Sequence, residues 1–402
     1  MKVLFIHMIG TFGGASRSLT EAVRALPSSV EPHFVTPHGT VMPFFSKLGK
    51  VIAVRGLSQF DNTRYGYYRG ARWIVLLREI LNIPATIAAI RNAHRQWPDI
   101  DLIHINEFTG IFPMWIAKRL YQVPVVVHVR SVARSDDRSW RTKWVNSFLR
   151  RNASAIIAID ETVRQSLPAE LDVEVIHNAF TPKPVADPDP AFRTAIAKTR
   201  AGSLKVGFVG NLLKVKGILD LVEAARIIKE SGIDVEYVVI GDDARSSKTL
   251  RARILSVLGI NQDIRAEVEQ RLHSYDLAKD FHLVGFMSDI AQAYQSIDVL
   301  CFPSHYNAPG RPVFEAAFSA IPSIVAVTNP TKDTLVDGDT GLAVPPHDPK
   351  RLAAAISTLA NDRDRSRKMG LAAFELAKSN FSVDQNALKL YAVFRRCLGL
   401  SE

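Results

Sequence analysis

The stretch from Asp298 to Val327, DVLCFPSHYNAPGRPVFEAAFSAIPSIVAV, decides the fold of this chain. It opens with a short apolar run, 299–302, and closes with another, 323–327, which indicate two buried strands. Between them lies a polar loop rich in glycine and proline, followed by apolar residues at helical spacing. Pro312 stands where the first helical turn would start, a position that suits a residue without an N–H group. The pattern of strand, loop, helix and strand is typical of a parallel βαβ unit.

The loop of this unit, 305–310, is expected at the carboxyl edge of the sheet, where open α/β sheets bind their ligands. Backbone N–H groups at the start of the helix would favour an anion there. Glu315 lies one turn inside the helix, where its carboxylate could accept hydrogen bonds from ligand hydroxyl groups. The spacing alone equally allows an ordinary βαβ turn with a surface glutamate.

The same stretch resembles the signature of the GT4 family of retaining glycosyltransferases, which have the GT-B fold. In that signature, D-x-x-x-x-P-S leads to a glutamate, and a second glutamate follows on a helix after seven further residues. Glu315 matches the second glutamate. Asn307 stands where the family has the first, so the chain departs from the pattern at that position.

The composition fits a globular enzyme of roughly two to three domains. The 402 residues are 47% hydrophobic and 22% charged, and no run of about 18 apolar residues predicts a membrane-spanning helix. The amino terminus has only a short apolar run before His7, which predicts a first strand and not a signal peptide. Two cysteines, Cys301 and Cys397, without an export signal favour a reduced, cytoplasmic protein.

Basic residues are concentrated between Arg64 and Arg151. The chain has a formal net charge of +10, and this segment has 15 basic and 6 acidic residues, a net charge of +9. Such a patch attracts polyanions, namely nucleic acid, anionic lipid headgroups or a pyrophosphate-bearing substrate, although a solvated basic face fits as well. The segment has no RNA- or DNA-binding motif, which disfavours nucleic acid as a partner.

The first half of the chain alternates predicted strands and helices. Its first turn, 10–16, reads GTFGGAS, and Gly13 and Gly14 there allow a ligand to approach the backbone closely. The spacing differs from G-x-G-x-x-G, which argues against a dinucleotide site. A similar GGA stands here in the GT4 family, and the resemblance implies that the amides of Gly13 and Gly14 help to hold a diphosphate.

His128 stands at the carboxyl end of a predicted buried strand, 123–129, where a side chain faces the ligand-binding edge of the sheet. A lone histidine at such a place is more often structural than catalytic. The GT4 pattern commonly has a histidine here beside the reacting sugar, so the resemblance implies a catalytic His128. Arg130 and Arg134 follow in a loop that could close over an acidic acceptor.

Two predicted helices of this half carry tryptophan on an apolar face. The faces consist of Trp73, Ile74, Leu77, Ile80 and Leu81 in the helix 71–81, and of Trp140, Trp144 and Phe148 in the helix 139–151. We expect both faces to pack in the core of the domain, as in most amphipathic helices. The alternative is that they rest on anionic lipid or on an acceptor.

Residues 181–190, TPKPVADPDP, predict a proline-rich linker between two domains. We expect an acceptor-binding Rossmann-like domain at 1–180, a nucleotide-sugar-binding Rossmann-like domain at 191–380, and a last helix at 381–402 that packs back on the first domain. The segment 244–280 is helical and charged in pattern, and its role does not follow from the sequence.

The strand–helix pattern restarts after the linker. An apolar run at 204–209 is followed by GNLLKVKG, 210–217, a glycine-opened turn whose lysines suit phosphate. This turn is similar to the family's G-R-x-x-x-x-K-G. Lys216 matches the lysine, while Asn211 replaces the arginine, a change that removes a bidentate phosphate clamp at a donor-binding position.

The two runs of strands and helices predict an α/β protein with two doubly wound domains, and the resemblance implies that they face each other across a cleft as in GT-B enzymes. The implied activity is a retaining hexosyl- or other glycosyltransferase that uses a nucleotide diphosphate sugar. By the same resemblance, Lys216 and the backbone at Pro309, Gly310 and Arg311 hold the diphosphate, Glu315 the ribose and Asn307 the donor sugar. We expect no metal or other cofactor, because no Asp or His cluster with metal-binding spacing appears.

The sequence does not name the donor or the acceptor. The basic segment and the tryptophan-bearing helices favour a polyprenyl-pyrophosphate-linked glycan of cell-surface polysaccharide assembly, met peripherally at the inner face of the cytoplasmic membrane. Asn307 and Asn211 leave an alternative, a non-catalytic relative that binds a nucleotide sugar or a protein partner. Lys216, Glu315 and His128 are present, which favours an active enzyme.

Overall fold

The computed structural model describes residues 1–182, 190–241, 264–287 and 290–400. The chain divides into two compact units, of which the first combines Met1–Thr181 with Phe381–Glu402 and the second is Pro182–Asn380. The division falls where the sequence predicted the start of the linker. Residues 183–189 of that linker, and 244–263 of the segment 244–280, lie outside the described residues.

Within residues 1–182, the first unit has a seven-stranded sheet in which every pairing is parallel. The strands are β1 (Lys2–Ile6), β2 (Glu31–Pro37), β3 (Lys50–Val54), β4 (Leu102–Ile105), β5 (Val125–Val129), β6 (Ala155–Ala158) and β7 (Val173–Val175). Their order is β3-β2-β1-β4-β5-β6-β7. The order runs outward in both directions from β1, which is the doubly wound Rossmann arrangement.

Helices cover both faces of this sheet. They are α1 (Gly14–Arg24), α2 (Met42–Phe45), α3 (Trp73–Leu81), α4 (Ile83–Gln96), α5 (Ile111–Tyr121), α6 (Trp140–Asn152) and α7 (Glu161–Gln165). Because both faces are covered, the strands are apolar on both sides. In β1, Leu4 and Ile6 pack into one core, whereas Val3 and Phe5 pack into the other.

The second unit repeats the arrangement within its described residues, 190–241, 264–287 and 290–380. Its strands are β8 (Leu204–Val209), β9 (Val235–Ile240), β10 (Phe281–Gly285), β11 (Val299–Phe302), β12 (Ser323–Ala326) and β13 (Gly341–Val344), in the order β10-β9-β8-β11-β12-β13. Its helices are α8 (Pro190–Ile196), α9 (Ile218–Glu230), α10 (Ile264–Ser274), α11 (Ala291–Gln295), α12 (Arg311–Ala317), α13 (Pro349–Asn361) and α14 (Arg363–Asn380). The predicted class, an α/β protein with two Rossmann-like domains, is confirmed.

The last helix, α15 (Val383–Cys397), belongs to the first unit. Its Phe394 packs on Phe5 with ring centroids 6.3 Å apart, and its Arg396 pairs with Glu174 at the end of the sheet. The chain therefore returns after the second unit to the domain that it left at Thr181.

The stretch 298–327 forms the predicted βαβ unit. Strands β11 and β12 pair in parallel, with Leu300 opposite Ser323, so the loop between them starts at the carboxyl edge of the sheet. Helix α12 begins at Arg311 and is shorter than the pattern indicated, because Ala320 turns the chain with a left-handed φ of +54°. Cys301, in β11, is buried as expected, and both it and Cys397 are free thiols.

Helices α3 and α6 contradict the expectation that their apolar faces pack in the core. Ile74 and Leu81 are each 71% exposed, and the buried residue of α3 is Glu79. In α6, Trp140 is 69% exposed and Trp144 is 44% exposed. An amphipathic period shows that a helix has an apolar face, but the tertiary structure decides whether that face is covered.

Among the described helices, no single one is long and apolar enough to span a membrane. Helices α3 and α4 reach the required length and apolarity only as a pair, and they are bent by 42° at the break between them.

Candidate functional site

Two loops of the second unit meet at the carboxyl edge of its sheet, because β8 and β11 are neighbours. The N–H of His305 donates to the carbonyl of Val215 at 2.9 Å. A Cβ on Gly217 would overlap the carbonyl oxygen of Pro303, so the two backbones are in direct contact. Gly217 also has a φ of +75°, which glycine adopts without strain. Two segments that the sequence analysis identified from separate motifs therefore form one surface. They are the predicted phosphate-binding turn, 210–217, and the signature loop, 305–310.

Lys216 lies against two aromatic rings on this surface. Its Nζ is 5.0 Å from the centre of the Tyr306 ring and 5.6 Å from that of Phe302. Burial lowers the pKa of Lys216 below its ordinary value, because desolvation disfavours the ammonium. Within the described residues no carboxylate pairs with this ammonium, and an anionic ligand would supply the missing negative charge.

Glu315 is buried on α12, where its carboxylate already accepts at least two hydrogen bonds. Tyr294 Oη donates to Oε2 at 2.9 Å, and Arg311 Nε donates to Oε1 at 2.5 Å. Arg311 and Glu315 are one helical turn apart and form an i,i+4 ion pair. Each carboxylate oxygen has further lone pairs, so a ligand hydroxyl could share Glu315 with its protein partners.

Asn307 adopts a left-handed conformation with a φ of +50°, which asparagine tolerates better than most residues. Its Oδ1 accepts the N–H of Thr328 at 2.6 Å, which ties the signature loop to the chain after β12. Within the described contacts, Nδ2 remains for a ligand. Asn307 would therefore act toward a sugar as a hydrogen-bond donor, whereas an ionised glutamate would act as an acceptor.

One residue of the predicted diphosphate site at the start of α12 cannot donate a main-chain hydrogen bond. Pro309 has no N–H, so only Gly310 and Arg311 of the three predicted residues can donate from the main chain. Gly310 is the N-cap of α12, and a Cβ there would overlap the ring of Phe302. Glycine thus lets the helix begin against the ring that also contacts Lys216.

Asn211 is exposed in the turn after β8. In the same turn, Lys214 pairs with Glu267 of α10 at 3.0 Å. The carboxylate of Glu267 thereby engages the charge of Lys214. Lys216 is the lysine of this turn that remains for a phosphate.

One group of described residues could hold a metal ion. Asp220, His305 and His347 place their ligand atoms within 4.8 Å of one another. His305 Nε2 lies 2.8 Å from Asp220 Oδ2, and the rings of His305 and His347 are 3.6 Å apart. The sequence showed no Asp or His cluster with metal-binding spacing, and it could not show this group because its three residues are far apart in the sequence.

In the first unit, His128 lies near the carboxyl end of β5 and is 3% exposed. Burial, together with Arg130 and His104, holds its pKa well below the ordinary value, so the ring is neutral. Its Nδ1 is 3.4 Å from Arg130 Nη2, and its Nε2 is buried without a hydrogen-bond partner among the described residues. Such buried polar atoms are uncommon.

Arg130 holds together a polar network that the sequence did not predict. Its Nε donates to Oδ1 of Asn106, and its Nη1 donates to Oδ1 of Asn178 at 2.7 Å. Asn106 in turn lies 2.9 Å from Nδ1 of His7, whose pKa burial lowers to about 3. Arg130 was expected to bind the acceptor, and in this structure it orders the chain after β1, β4 and β7.

Glu107 lies two residues after β4 and was missed as a candidate. It accepts hydrogen bonds from the N–H of Phe108 at 2.9 Å and from the Ser131 hydroxyl at 2.6 Å. Burial raises the pKa of Glu107 to about 7, against the opposing effect of these hydrogen bonds. A carboxyl that exchanges its proton near neutral pH at a strand end suits acid–base chemistry. Its position two residues after a predicted strand was the available signal.

Gly13 and Gly14 stand at the start of α1. The N–H of Gly13 donates to Ser16 Oγ at 2.7 Å, so that amide is already used within the turn. A Cβ on either glycine would meet nothing within 4 Å, so the space beside them is open. Gly14 is the better candidate for an anion, because first-turn amides have no partner inside a helix.

Arg134 belongs to a different cluster of the first unit. Its guanidinium lies 4.3 Å from the centre of the Tyr67 ring and pairs with Asp136 at 2.5 Å. The neighbouring loop is held by a hydrogen bond from the Arg134 N–H to the Asn62 carbonyl at 3.0 Å.

Both halves of the chain match families of glycosyltransferases. Residues 193–376 match the family described as glycosyl transferases group 1, and residues 12–183 match glycosyltransferase family 4. The chain belongs to the GT4-type glycosyltransferases. The resemblance found in its motifs is thereby confirmed, and it extends over nearly all of both units.

The curated relatives of this GT4-type chain are distant in sequence. It is 22% identical over 302 residues to alpha-D-kanosaminyltransferase of Streptomyces kanamyceticus, which covers 71% of this chain and 73% of that protein. It is 27% identical over 177 residues to the capsular polysaccharide biosynthesis glycosyltransferase CapM of Staphylococcus aureus, 44% of this chain and 42% of that one. Such relatives support sugar transfer as the class of reaction.

A solved structure of the same fold is that of Anabaena HepE in complex with UDP. The TM-score is 0.75 at 20% identity, and the match covers 98% of this chain and 100% of HepE. This similarity establishes the GT-B fold, which consists of two Rossmann-like domains.

Proposed function

We propose that this chain transfers a sugar from a nucleotide diphosphate sugar to an acceptor hydroxyl with retention of anomeric configuration. The observation that carries the proposal is the joined pair of loops in the second unit, where the partly desolvated Lys216 adjoins the start of α12. An ammonium in that setting stabilises the charge that develops on a leaving diphosphate. HepE, which has the same fold, is described in complexes with UDP and with UDP-glucose, and this supports a nucleotide sugar as the donor.

The diphosphate would be held by one side chain and several amides. Lys216 supplies the charge, and the N–H groups of Gly310 and Arg311 at the start of α12 supply hydrogen bonds. Asn211 lies in the same turn as Lys216 and would replace a charged contact by a neutral one.

The nucleoside and the sugar would be recognised by helix α12 and by the loop that precedes it. Glu315 would accept the ribose hydroxyls while it keeps its bonds from Tyr294 and Arg311. Asn307 would donate from Nδ2 to an oxygen of the sugar, such as a hydroxyl or the carbonyl of an N-acetyl group. This preference for an acceptor atom on the sugar distinguishes the chain from relatives that have glutamate there.

In the proposed reaction, the bond between the sugar C1 and the diphosphate oxygen breaks as the acceptor oxygen bonds to C1 from the same side. The acceptor proton passes to the departing phosphate oxygen. His128, neutral and with a buried Nε2 that lacks a described partner, would orient the reacting groups. No metal is needed in this scheme, because Lys216 and the main-chain amides neutralise the diphosphate.

For the acceptor, we propose a lipid-linked glycan of cell-surface polysaccharide assembly, used at the cytoplasmic face of the membrane. The net charge of +9 between Arg64 and Arg151 supports an anionic acceptor. The exposed apolar faces of α3 and α6 support contact with lipid. CapM, a relative over part of its length, is named for capsular polysaccharide biosynthesis.

A second candidate function is the non-catalytic binding of a nucleotide sugar. The hydrogen bond from the Thr328 N–H to Asn307 favours it, because that bond uses the oxygen with which Asn307 could mimic glutamate. Lys216 is compatible with both candidates, because a bound diphosphate needs a cation whether or not the sugar is transferred, so measured turnover decides between them.

The test is a donor panel. Purified protein is incubated with sugars linked to UDP, GDP, dTDP and ADP, together with a membrane lipid extract, and the released nucleotide diphosphate is measured. We expect release from the sugars of one nucleotide. Binding of a nucleotide sugar without release, in the presence of the extract, would favour the non-catalytic candidate.

A further inference from the structure

A cavity of about 360 Å³ opens in the first unit between helices α3, α4, α5 and α6. Its wall is mostly apolar and includes Leu76, Ile80, Ile111, Phe112, Trp115 and Phe148. The volume lies in the range of small-molecule sites, about 300–1,000 Å³. Such a wall is suited to a hydrocarbon chain.

The orientation of α3 keeps this cavity open. Leu76, Glu79 and Ile80 line the cavity, and Ile80 is also 50% exposed, whereas Ile74 and Leu81 are exposed to solvent and do not line it. Glu79 fixes the helix, because its Oε2 accepts the N–H of Gln59 at 2.9 Å. Helix α3 therefore forms one wall of the cavity, and the apolar side chains on its exposed side do not occupy the cavity.

Three guanidinium groups gather around one tyrosine of the same unit. Those of Arg69, Arg134 and Arg141 lie 5.1, 4.3 and 5.9 Å from the centre of the Tyr67 ring. Among the described residues, Asp136 is the carboxylate that pairs with this cluster, through Arg134. The excess of positive charge suits a pyrophosphate, because guanidinium groups bind phosphate oxygens with two parallel hydrogen bonds.

The arginine cluster and the cavity share their framework. Arg141 Nη1 donates to the carbonyl of Tyr68 at 3.0 Å, and the ring of Tyr68 packs on Phe60 at 5.6 Å. Phe60 lines the cavity and packs on Trp144, another lining residue, at 5.1 Å. An apolar cavity thus adjoins a cationic cluster, which is the arrangement that a lipid with an anionic head requires.

Gln59 connects the cavity to the carboxyl edge of the sheet. It lines the cavity, and its Nε2 donates to the carbonyl of Met8 at 3.4 Å, just after β1. Its Oε1 accepts the hydroxyl of Thr109 at 3.1 Å, in the chain that follows β4. A headgroup held beside the cavity would therefore be close to the strand ends where His128 and Glu107 lie.

We propose that the cavity is the site of the acceptor's prenyl chain and that the Arg69–Arg134–Arg141 cluster binds its pyrophosphate. This inference rests on the proposed transferase function and names the class of its acceptor. The positive charge beside the cavity favours an anionic lipid over a neutral one. The recessed position of Leu76 and Phe148 favours one inserted chain over a bilayer, which would meet only the exposed side chains.

The experiment titrates farnesyl pyrophosphate and inorganic pyrophosphate into the full chain and follows binding by calorimetry. We expect farnesyl pyrophosphate to bind at least tenfold more tightly than inorganic pyrophosphate. Leu76→Trp, which fills the cavity, should weaken farnesyl pyrophosphate at least tenfold. Leu77→Trp, its neighbour on the exposed side of α3, should change binding less than twofold. Arg141→Gln should weaken both ligands.

Equal binding of the two ligands, or equal effects of the two tryptophan substitutions, would overturn the inference. Binding to phosphatidylglycerol vesicles without binding to farnesyl pyrophosphate would instead identify a bilayer contact. Should Leu76→Trp fail to fold, Ile80→Trp at the rim of the cavity repeats the test. UDP is titrated into the same wild-type sample. If UDP binds and farnesyl pyrophosphate does not, this inference is overturned and the proposed donor site stands. If farnesyl pyrophosphate binds and UDP does not, the proposed donor site is overturned.

Discussion

The carboxyl edges of the sheets in the two units are built in different ways. In the second unit, two loops touch through their backbones at Gly217 and Pro303, and Lys216 projects from that contact. In the first unit, side chains from separate strand ends meet in a network around Arg130. Backbone contacts depend on glycine and proline at fixed positions, which a sequence displays. A side-chain network depends on residues that only the fold brings together.

The first prediction tests whether one lysine accounts for the donor site. Lys216→Ala should reduce donor turnover by at least about 100-fold, roughly 3 kcal/mol of transition-state stabilisation, because the leaving diphosphate loses its cation. Turnover is measured as released nucleotide diphosphate. Lys214→Ala removes an equal charge from the same turn and should stay within about threefold, since Lys214 pairs with Glu267. Equal losses in the two variants would mean that the turn acts only through its overall charge.

The second prediction tests the backbone contact itself. Gly217→Ala introduces a Cβ that overlaps the Pro303 carbonyl at a φ of +75°, so the free energy of unfolding should fall by about 3 kcal/mol or more. Gly232→Ala has a similar φ of +70° but meets nothing within 4 Å, and should cost about 1 kcal/mol. Denaturant unfolding measures both. Similar costs would show that the two loops are not in the tight contact described.

Features that depend on local spacing could be predicted from the sequence, whereas features that depend on the fold could not. The strand–loop–helix–strand pattern of 298–327 predicted β11, α12 and β12, because parallel buried strands are apolar and helices are periodic. The positions of Lys216 in its turn and of Glu315 on its helix followed from motifs of local spacing. The cluster of Asp220, His305 and His347 could not be predicted, because no local spacing relates residues on three separate elements.

The prediction that the apolar faces of α3 and α6 pack in the core was wrong for a related reason. The sequence showed that Trp73, Ile74 and Leu77 share one side of a helix, but whether a neighbour covers that side depends on how the helix is tethered. The tether is Glu79, a charged residue that pattern reasoning assigns to the solvent side. Its burial turns the apolar residues outward.

The third prediction concerns the first unit and its Glu107. The pKa of this carboxyl is raised from 4.5 to about 7 in the folded chain, so the folded state binds more protons than the unfolded state between these pH values. The stability that this group contributes is therefore fully present below pH 4.5 and is lost as the pH rises through 7. Glu107→Gln removes this pH-dependent contribution. The difference in unfolding free energy, variant minus wild type, should therefore increase by at most about 3 kcal/mol between pH 5 and pH 8.5. A difference that does not change with pH would mean that Glu107 titrates normally.

The smallest predicted effect compares two buried tyrosines of the second unit. Tyr294→Phe removes a hydrogen bond to the buried carboxylate of Glu315 and should lower the free energy of unfolding by about 1–3 kcal/mol. Tyr237→Phe removes a buried hydroxyl that has no hydrogen-bond partner among the described residues, so it should be neutral or stabilising. Thermal unfolding of the two variants gives the comparison. Equal destabilisation would contradict the assignment of Tyr294 as the partner that positions Glu315.

The central claim is that the joined loops of the second unit bind a nucleotide diphosphate. The most direct measurement is calorimetric titration of UDP, GDP, dTDP and ADP into the wild-type chain and into Glu315→Gln, with folding checked for both. We predict that one nucleotide binds to the wild type and that Glu315→Gln weakens it at least tenfold, because a neutral amide is a weaker acceptor for ribose hydroxyls. Binding of none of the four to the folded wild type would contradict the claim.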